Sequence, residues 1–172
     1  MLKWKLLKTE VNYKKIFIGI GSNVGNRLQN ISKAIELINK NSDCNVLKVS
    51  SVFESKAFGV IGQNNFFNSV VQIETNLEPE NLLKLLKEIE KEIGRSETER
   101  WGPREIDLDI LLFDNLVYSK NGLTIPHKGI PERDFVMVPL TEIEPEIVHP
   151  VLNKKVKGLI AKVEENIIRK YQ

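Results

Sequence analysis

The sequence predicts an α+β fold with a ferredoxin-like β-α-β-β-α-β core. The sheet should be mainly antiparallel, with helices on one side and a C-terminal hairpin and helix added. Two observations predict this. Short apolar or alternating runs read as strands, while longer runs with apolar residues three and four apart read as helices. Their order along the chain is strand, helix, strand, strand, helix, strand. Length adds a third constraint: 172 residues suit one domain with a real core, so the whole chain reads as a single unit.

Taken in order, residues 1–14 form an N-terminal extension, read as a frayed tail or an added edge strand. "KIFIGI" (15–20) is an apolar strand, and "GSNVGN" follows as a turn. Ser22 or Asn23 is the expected cap of the next helix, whose buried face is Leu28, Ile31, Ile35 and Ile38. Residues 45–55 read as one strand, 56–65 as a loop bearing Gly and Asn, and 66–75 as another strand. Pro79 suits the first turn of a second helix with Leu82, Leu83, Leu86, Ile89 and Ile93 inward, and Gly94 sits where a C-terminal cap belongs. A polar loop (95–104) precedes the strand 105–113. A hairpin is expected around Asn121-Gly122, then a loop through Pro126 and Pro131. Val156, Leu159, Ile160, Val163 and Ile167 suggest a final amphipathic helix.

Composition narrows the function. Hydrophobic residues make up 41% and charged residues 28%, as in soluble globular proteins. With 25 basic and 23 acidic residues the net charge is +2, which gives no overall field for nucleic acid or membrane binding. Cys44 is alone, so neither a disulfide framework nor a Cys-type zinc site is expected. No apolar run approaches the roughly 20 residues of a membrane helix, and the basic start lacks the features of a secretory signal. The expected home is cytoplasmic.

The informative stretch is "RWGPREIDLDILLF" (100–113). In a strand, Ile106, Leu108, Ile110 and Leu112 share one face, while Glu105, Asp107 and Asp109 share the other. The two aspartates then lie about 7 Å apart, a repulsive arrangement unless cations compensate it. Such hard oxygen ligands suit Mg²⁺, although an isolated pair of this kind is more often a solvated surface. Arg95, Arg100 and Arg104 crowd the preceding loop, and arginine forks recognise phosphate. Acids for metal beside arginines for phosphate point to phosphoryl transfer. Glycines 19, 21 and 25 match neither a P-loop nor a dinucleotide fingerprint, so any ATP must be held by arginines, histidine and metal. On the 66–73 strand, Phe66 and Asn68 share a face with Val70. There an aromatic platform beside a carboxamide can stack on and read a flat heterocycle.

With "IGSN", the Phe-x-Asn of 66–68, "RWGPREIDLDILLF", "TIPH" (124–127) and "ERDFVMVPLTEI" (132–143) in this order, residues 15–150 resemble the 6-hydroxymethyl-7,8-dihydropterin pyrophosphokinases of folate biosynthesis. The resemblance implies transfer of diphosphate from ATP, the co-substrate, to the pterin's hydroxymethyl group, with release of AMP and use of two Mg²⁺ ions. It implies that Asp107 and Asp109 hold the metals. Glu90, Arg95, Arg104, Thr124, His127 and Arg133 lie at ATP, and Arg100 swings in with its loop. Phe66, Phe135 and Trp101 enclose the pterin, with Ser55 and Asn68 at its edge. Whether other folate-pathway enzymes dock here is a question the sequence leaves open. Against the family pattern, Glu97 replaces a basic residue in the 95–104 loop, Phe66 a frequent tyrosine and Ala57 a common proline. A two-metal nucleotidyltransferase or nuclease would instead give pyrophosphate or cleaved nucleic acid. An RNA-binding module fits poorly, because Asp107 and Asp109 would repel phosphate.

Overall fold

At the centre of the sheet lies Phe66–Thr75, a strand buried along nearly its whole length because sheet neighbours flank both of its edges. The structure is a computed structural model and describes residues 14–59, 62–96 and 102–171. In chain order its elements are β1 (Lys14–Ser22), α1 (Arg27–Lys40), β2 (Cys44–Val49), β3 (Phe53–Ser55), β4 (Phe66–Thr75), α2 (Pro79–Ile93) and β5 (Asp107–Phe113). There follow β6 (Tyr118–Lys120), β7 (Leu123–Ile125), α3 (Asp134–Ile143), β8 (Val148–His149), β9 (Lys154–Lys155), α4 (Lys157–Ile160) and β10 (Ile167–Lys170). The main sheet runs β10-β3-β4-β1-β5, with β2 also on β4, and its pairings are antiparallel.

The α+β, ferredoxin-like expectation holds. Helices α1 and α2 pack on one sheet face through Ile31, Ala34, Ile38, Leu82, Leu86 and Ile89, which join Ile16, Ile18, Val71 and Ile73 in one core. Helix α2 starts at Pro79 and ends at Gly94, whose φ of 106° is the left-handed cap conformation glycine allows. The Asn121-Gly122 hairpin also forms, with both residues at positive φ.

Five details differ from the sequence reading, each for a local reason. The cap of α1 is Asn26, whose side chain accepts the Gln29 N–H, because Ser22 and Asn23 are used elsewhere. The expected strand 45–55 is two strands. Between them Ser50 Oγ accepts the Val70 N–H at 2.9 Å, and the Ser51 N–H and hydroxyl turn to Glu142 on α3. A bulge in the β1–β5 ladder sets Phe17 opposite Leu112 and Ile18 opposite Ile110. That extra residue breaks the alternation, so Leu112 joins Leu111, Phe17 and Val70 in a second core instead of sharing a face with Ile110. Helix α3 covers this second face through Met137, Leu140 and Ile143. Its internal Pro139 reads against a helix in the sequence. The C-terminal helix is only Lys157–Ile160, and Ile167 begins β10, which pairs with β3. The apolar period is still used, since Val156, Leu159, Ile160 and Val163 pack on the second core.

Candidate active site

The second face of the sheet changes character along β1. Where β1 carries Phe17 the face is core. Beyond it, Gly19 stands opposite Asp109 and Val70, and Gly21 opposite Asp107 and Asn68. Without side chains on these two residues the face opens into a cleft of about 450 Å³. A Cβ on Gly19 would meet Leu111 Cδ2 at 3.2 Å, and one on Gly21 would point at Asn68 and Phe66. The glycines of "GIGS" therefore form a strand floor, not a phosphate-binding turn.

On one side of this floor stand Asp107 and Asp109, brought to one face by the strand period, as predicted. Their surroundings differ. Asp107 accepts a hydrogen bond from Arg95 Nη1 on Oδ1 at 2.7 Å and another from Arg104 Nη1 on Oδ2 at 2.8 Å. Burial opposes the charge of the Arg95 guanidinium, but the carboxylates of Asp107 and Glu90 outweigh it and hold its pKa above the usual arginine value. Among the described residues, the one basic side chain within 4 Å of Asp109 is His127, with Nε2 3.9 Å from Oδ2. The Asp109 side chain keeps 39% of its surface open, yet protein atoms surround the carboxyl. That burial, and then the charge of Asp107, push its pKa above the ordinary aspartate range.

Glu90 does not line the cleft. Its carboxylate is buried behind β5, where it accepts the Leu108 N–H at 2.7 Å and pairs with Arg95 and Lys87, each at 2.7 Å. It acts on the site through those two cations. Thr124 also stays off the cleft lining, paired with Ser119 in the β6–β7 hairpin. His127 does line it. Its Nδ1 accepts the Gly129 N–H at 3.1 Å, which leaves Nε2 toward Asp109.

The opposite side is aromatic. Phe66, Phe58 and Phe135 line it, with the last two rings 5.9 Å apart and tilted by 60°. The Arg133 guanidinium lies 5.2 Å from the Phe58 ring, and its buried Nε has no acceptor among the described residues. That donor suits a ligand oxygen. Asn68 Nδ2 donates to Ser55 Oγ at 2.9 Å, fixing a buried polar patch between the rings and the floor. Arg100 and Trp101 lie outside the described residues, as do Glu97 and the N-terminal extension up to residue 13.

Three contributors went unread in the sequence. Lys87 looked like an ordinary exposed helix lysine, yet it lines the cleft and its Nζ donates to Glu90 and to Leu108 O. Phe58 was one apolar residue in a loop. Asn23 ties the strand end to both flanking loops: its Oδ1 accepts the Arg104 N–H at 2.8 Å and its Nδ2 donates to Asn64 O at 3.3 Å. No short-range pattern marks such long-range bonds.

Comparison with known proteins places the chain in a family. The family model of 7,8-dihydro-6-hydroxymethylpterin-pyrophosphokinase (HPPK) matches residues 17–145. A protein of Aquifex aeolicus named 2-amino-4-hydroxy-6-hydroxymethyldihydropteridine pyrophosphokinase is 46% identical over 142 residues, 83% of this chain and 88% of that one. The folic acid synthesis protein fol1 of Schizosaccharomyces pombe is 39% identical over 171 residues, 99% of this chain but only 23% of its own length. The wild-type HPPK-DHPS of Plasmodium falciparum, crystallised with pteroate, superposes with a TM-score of 0.72 at 15% identity. That match covers 87% of this chain and 42% of the other, and shows the fold alone.

Proposed function

The chain belongs to the 7,8-dihydro-6-hydroxymethylpterin-pyrophosphokinase family of folate synthesis, and we propose that its glycine-floored cleft is where ATP gives its diphosphate to 6-hydroxymethyl-7,8-dihydropterin. The products are AMP and the dihydropterin diphosphate. The observation that carries this is one cleft lined at once by paired aspartates, arginines, and aromatic rings beside a buried carboxamide.

In this reading the heterocycle lies at the Phe66 and Phe135 end. Stacking supplies affinity there, while Asn68 and Ser55 supply donors and acceptors for the ring edge. The triphosphate lies at the other end, where Arg95, Arg104, Arg133 and His127 offer N–H groups to its oxygens. Lys87 adds charge beside Asp109. The family resemblance assigns Arg100 to the phosphates and Trp101 to the pterin. Glu90 holds the β5 backbone between the two aspartates and so fixes their spacing. Apolar walls and the flanking loops keep water from the phosphates.

Mg²⁺ fits Asp107 and Asp109. Among the described residues no group of three or more His, Cys, Asp or Glu side chains makes a self-contained metal site. Two carboxylates, one of them poorly compensated, match an ion that completes its shell with phosphate oxygens and water. When bound, two such ions supply charge neutralisation and an acidified hydroxyl.

Among the described residues no helix is long and apolar enough to cross a membrane. The lone, buried Cys44 supports a reducing, cytoplasmic setting. Relatives that carry this region within longer folate proteins support contact with other enzymes of the same synthesis. Phosphorus NMR of the protein with ATP, Mg²⁺ and the dihydropterin tests the function. AMP and a pterin diphosphate should appear together; ADP, or pyrophosphate without AMP, would overturn it.

A further inference from the structure

Backbone N–H groups from two distant parts of the chain converge on Asp134, whose carboxylate is buried at 3% exposure. The Phe135 N–H donates to Oδ1 at 2.8 Å, and the Asn166 and Ile167 N–H groups both donate to Oδ2, at 2.7 and 2.8 Å. No ion pair to Asp134 is found among the described residues, so these bonds are what make its burial tolerable. Asn166 and Ile167 lie beyond residues 17–145, the span matched by the family. The same two residues grip the other side of the cleft. Asn166 O accepts the Lys56 N–H at 3.0 Å, and Ile167 pairs with Ser55 in the β10–β3 ladder. Farther along β10, Arg169 Nε donates to the buried Glu54 at 2.8 Å.

These bonds form a clip. On one side it holds the start of α3, where Asp134 sits between the cleft residues Arg133 and Phe135. On the other it holds Ser55 and Lys56, which also line the cleft. We infer that Asp134 is a positioning residue for the dihydropterin: by clamping the Asn166–Ile167 backbone it fixes the width of the slot between Phe135 and Ser55. This rests on the function proposed above. A flat ring needs a slot of set width, and small misplacements are costly. Arg95, Arg104 and Asp107 are held by other bonds, to Glu90, Asn23 and one another, and do not depend on the clip.

The test is calorimetry on the full chain with Mg²⁺ and a non-hydrolysable ATP analogue, titrated first with the analogue and then with dihydropterin. Asp134→Ala should weaken dihydropterin binding by about tenfold or more. Analogue binding should fall less than dihydropterin binding, because of its proposed contacts only Arg133 adjoins the clip. In steady state, KM for the pterin should rise while kcat moves less. Asp134→Asn, which keeps one acceptor oxygen, should recover part of the loss. Ile167→Pro removes one donor from a residue outside the cleft lining and should act in the same direction; it carries the test if Asp134→Ala does not fold. Parent-like dihydropterin binding in the folded variants would overturn the inference, as would equal losses of both ligands. A parent protein that binds no dihydropterin would instead overturn the proposed function.

Discussion

Asp107 and Asp109 are neighbours on one strand face with opposite surroundings: Asp107 is bonded to Arg95 at 2.7 Å and Arg104 at 2.8 Å, whereas among the described residues the nearest basic atom to Asp109 is His127 Nε2 at 3.9 Å. One carboxylate is already neutralised by the groups proposed to meet phosphate. The other has no comparably close cation among the described residues. This asymmetry gives each residue a distinct expected phenotype.

For Asp109 the consequence is a pH-dependent cost in stability. Burial, followed by the charge of Asp107, raises its pKa in the folded chain. Between the ordinary and the raised pKa, the folded state therefore keeps a proton that the unfolded state has released. Ionising Asp109 removes stability as pH rises from the ordinary aspartate range through the raised value. Without metal, Asp109→Asn should raise Tm by a few degrees at neutral pH and leave it unchanged well below the ordinary aspartate pKa. Turnover should be nearly lost. Thermal melts across pH check the sign; a lower Tm at neutral pH would contradict it.

For Asp107 the expected effect is on its partners. Asp107→Asn should abolish nearly all turnover while releasing Arg104 from its ion pair and leaving Arg95 paired to Glu90 alone. Metal-free tripolyphosphate should then bind more tightly than to the parent protein, by about 1 kcal/mol, the scale of a competing ion pair removed from partly exposed groups. Calorimetry in the presence of a chelator measures this, and weaker binding would show that the arginines do not turn to phosphate.

Phe135 should matter to one ligand only. Phe135→Ala removes a ring from the cleft wall and should weaken dihydropterin binding by roughly 1–3 kcal/mol, the value of a lost stacking partner. ATP-analogue binding should change much less. Calorimetry giving the reverse pattern would move Phe135 out of the pterin site.

The glycine floor makes a steric prediction. A Cβ on Gly21 would lie 3.5 Å from Asn68 Oδ1 and 3.7 Å from Phe66 Cδ1, which is ordinary contact. Gly21→Ala should therefore fold and bind nearly as the parent does. Gly21→Val adds two methyl groups toward the proposed ring site, so dihydropterin binding should fall by more than tenfold (~1.4 kcal/mol), with circular dichroism unchanged. Unaltered binding would place the heterocycle elsewhere.

Much of this was legible in the sequence where cause and effect are local. Pro79 and Gly94 bracket α2 through the backbone preferences of those two residues, and the 66–75 strand is marked by its own run of aromatic and β-branched residues. Asp107 and Asp109 share a face because strands alternate. What escaped depended on distant partners. Ser50 breaks a strand by bonding to Val70, and Leu112 changes face because β1 forces a bulge. Ile167–Lys170 forms a strand because Asp134 and β3 take its backbone groups, although Ile167 also continues the helical spacing of Val156, Leu159, Ile160 and Val163. Within the site, the aspartates, arginines and Phe66-x-Asn68 stood out by type and spacing. Lys87, Phe58 and Asn23 did not, since only the fold brings them to the cleft.

We place the meeting of metal and triphosphate at the Asp107–Asp109 pair, over the floor of Gly19 and Gly21. Electron paramagnetic resonance titration of Mn²⁺ against the protein with a non-hydrolysable ATP analogue tests it most directly, with Asp107→Asn and Asp109→Asn as comparisons. The parent protein should bind Mn²⁺ in a nucleotide-dependent manner, and each variant should lose protein-bound Mn²⁺ while free nucleotide still binds the ion. Parent-like Mn²⁺ binding in both variants would contradict the account.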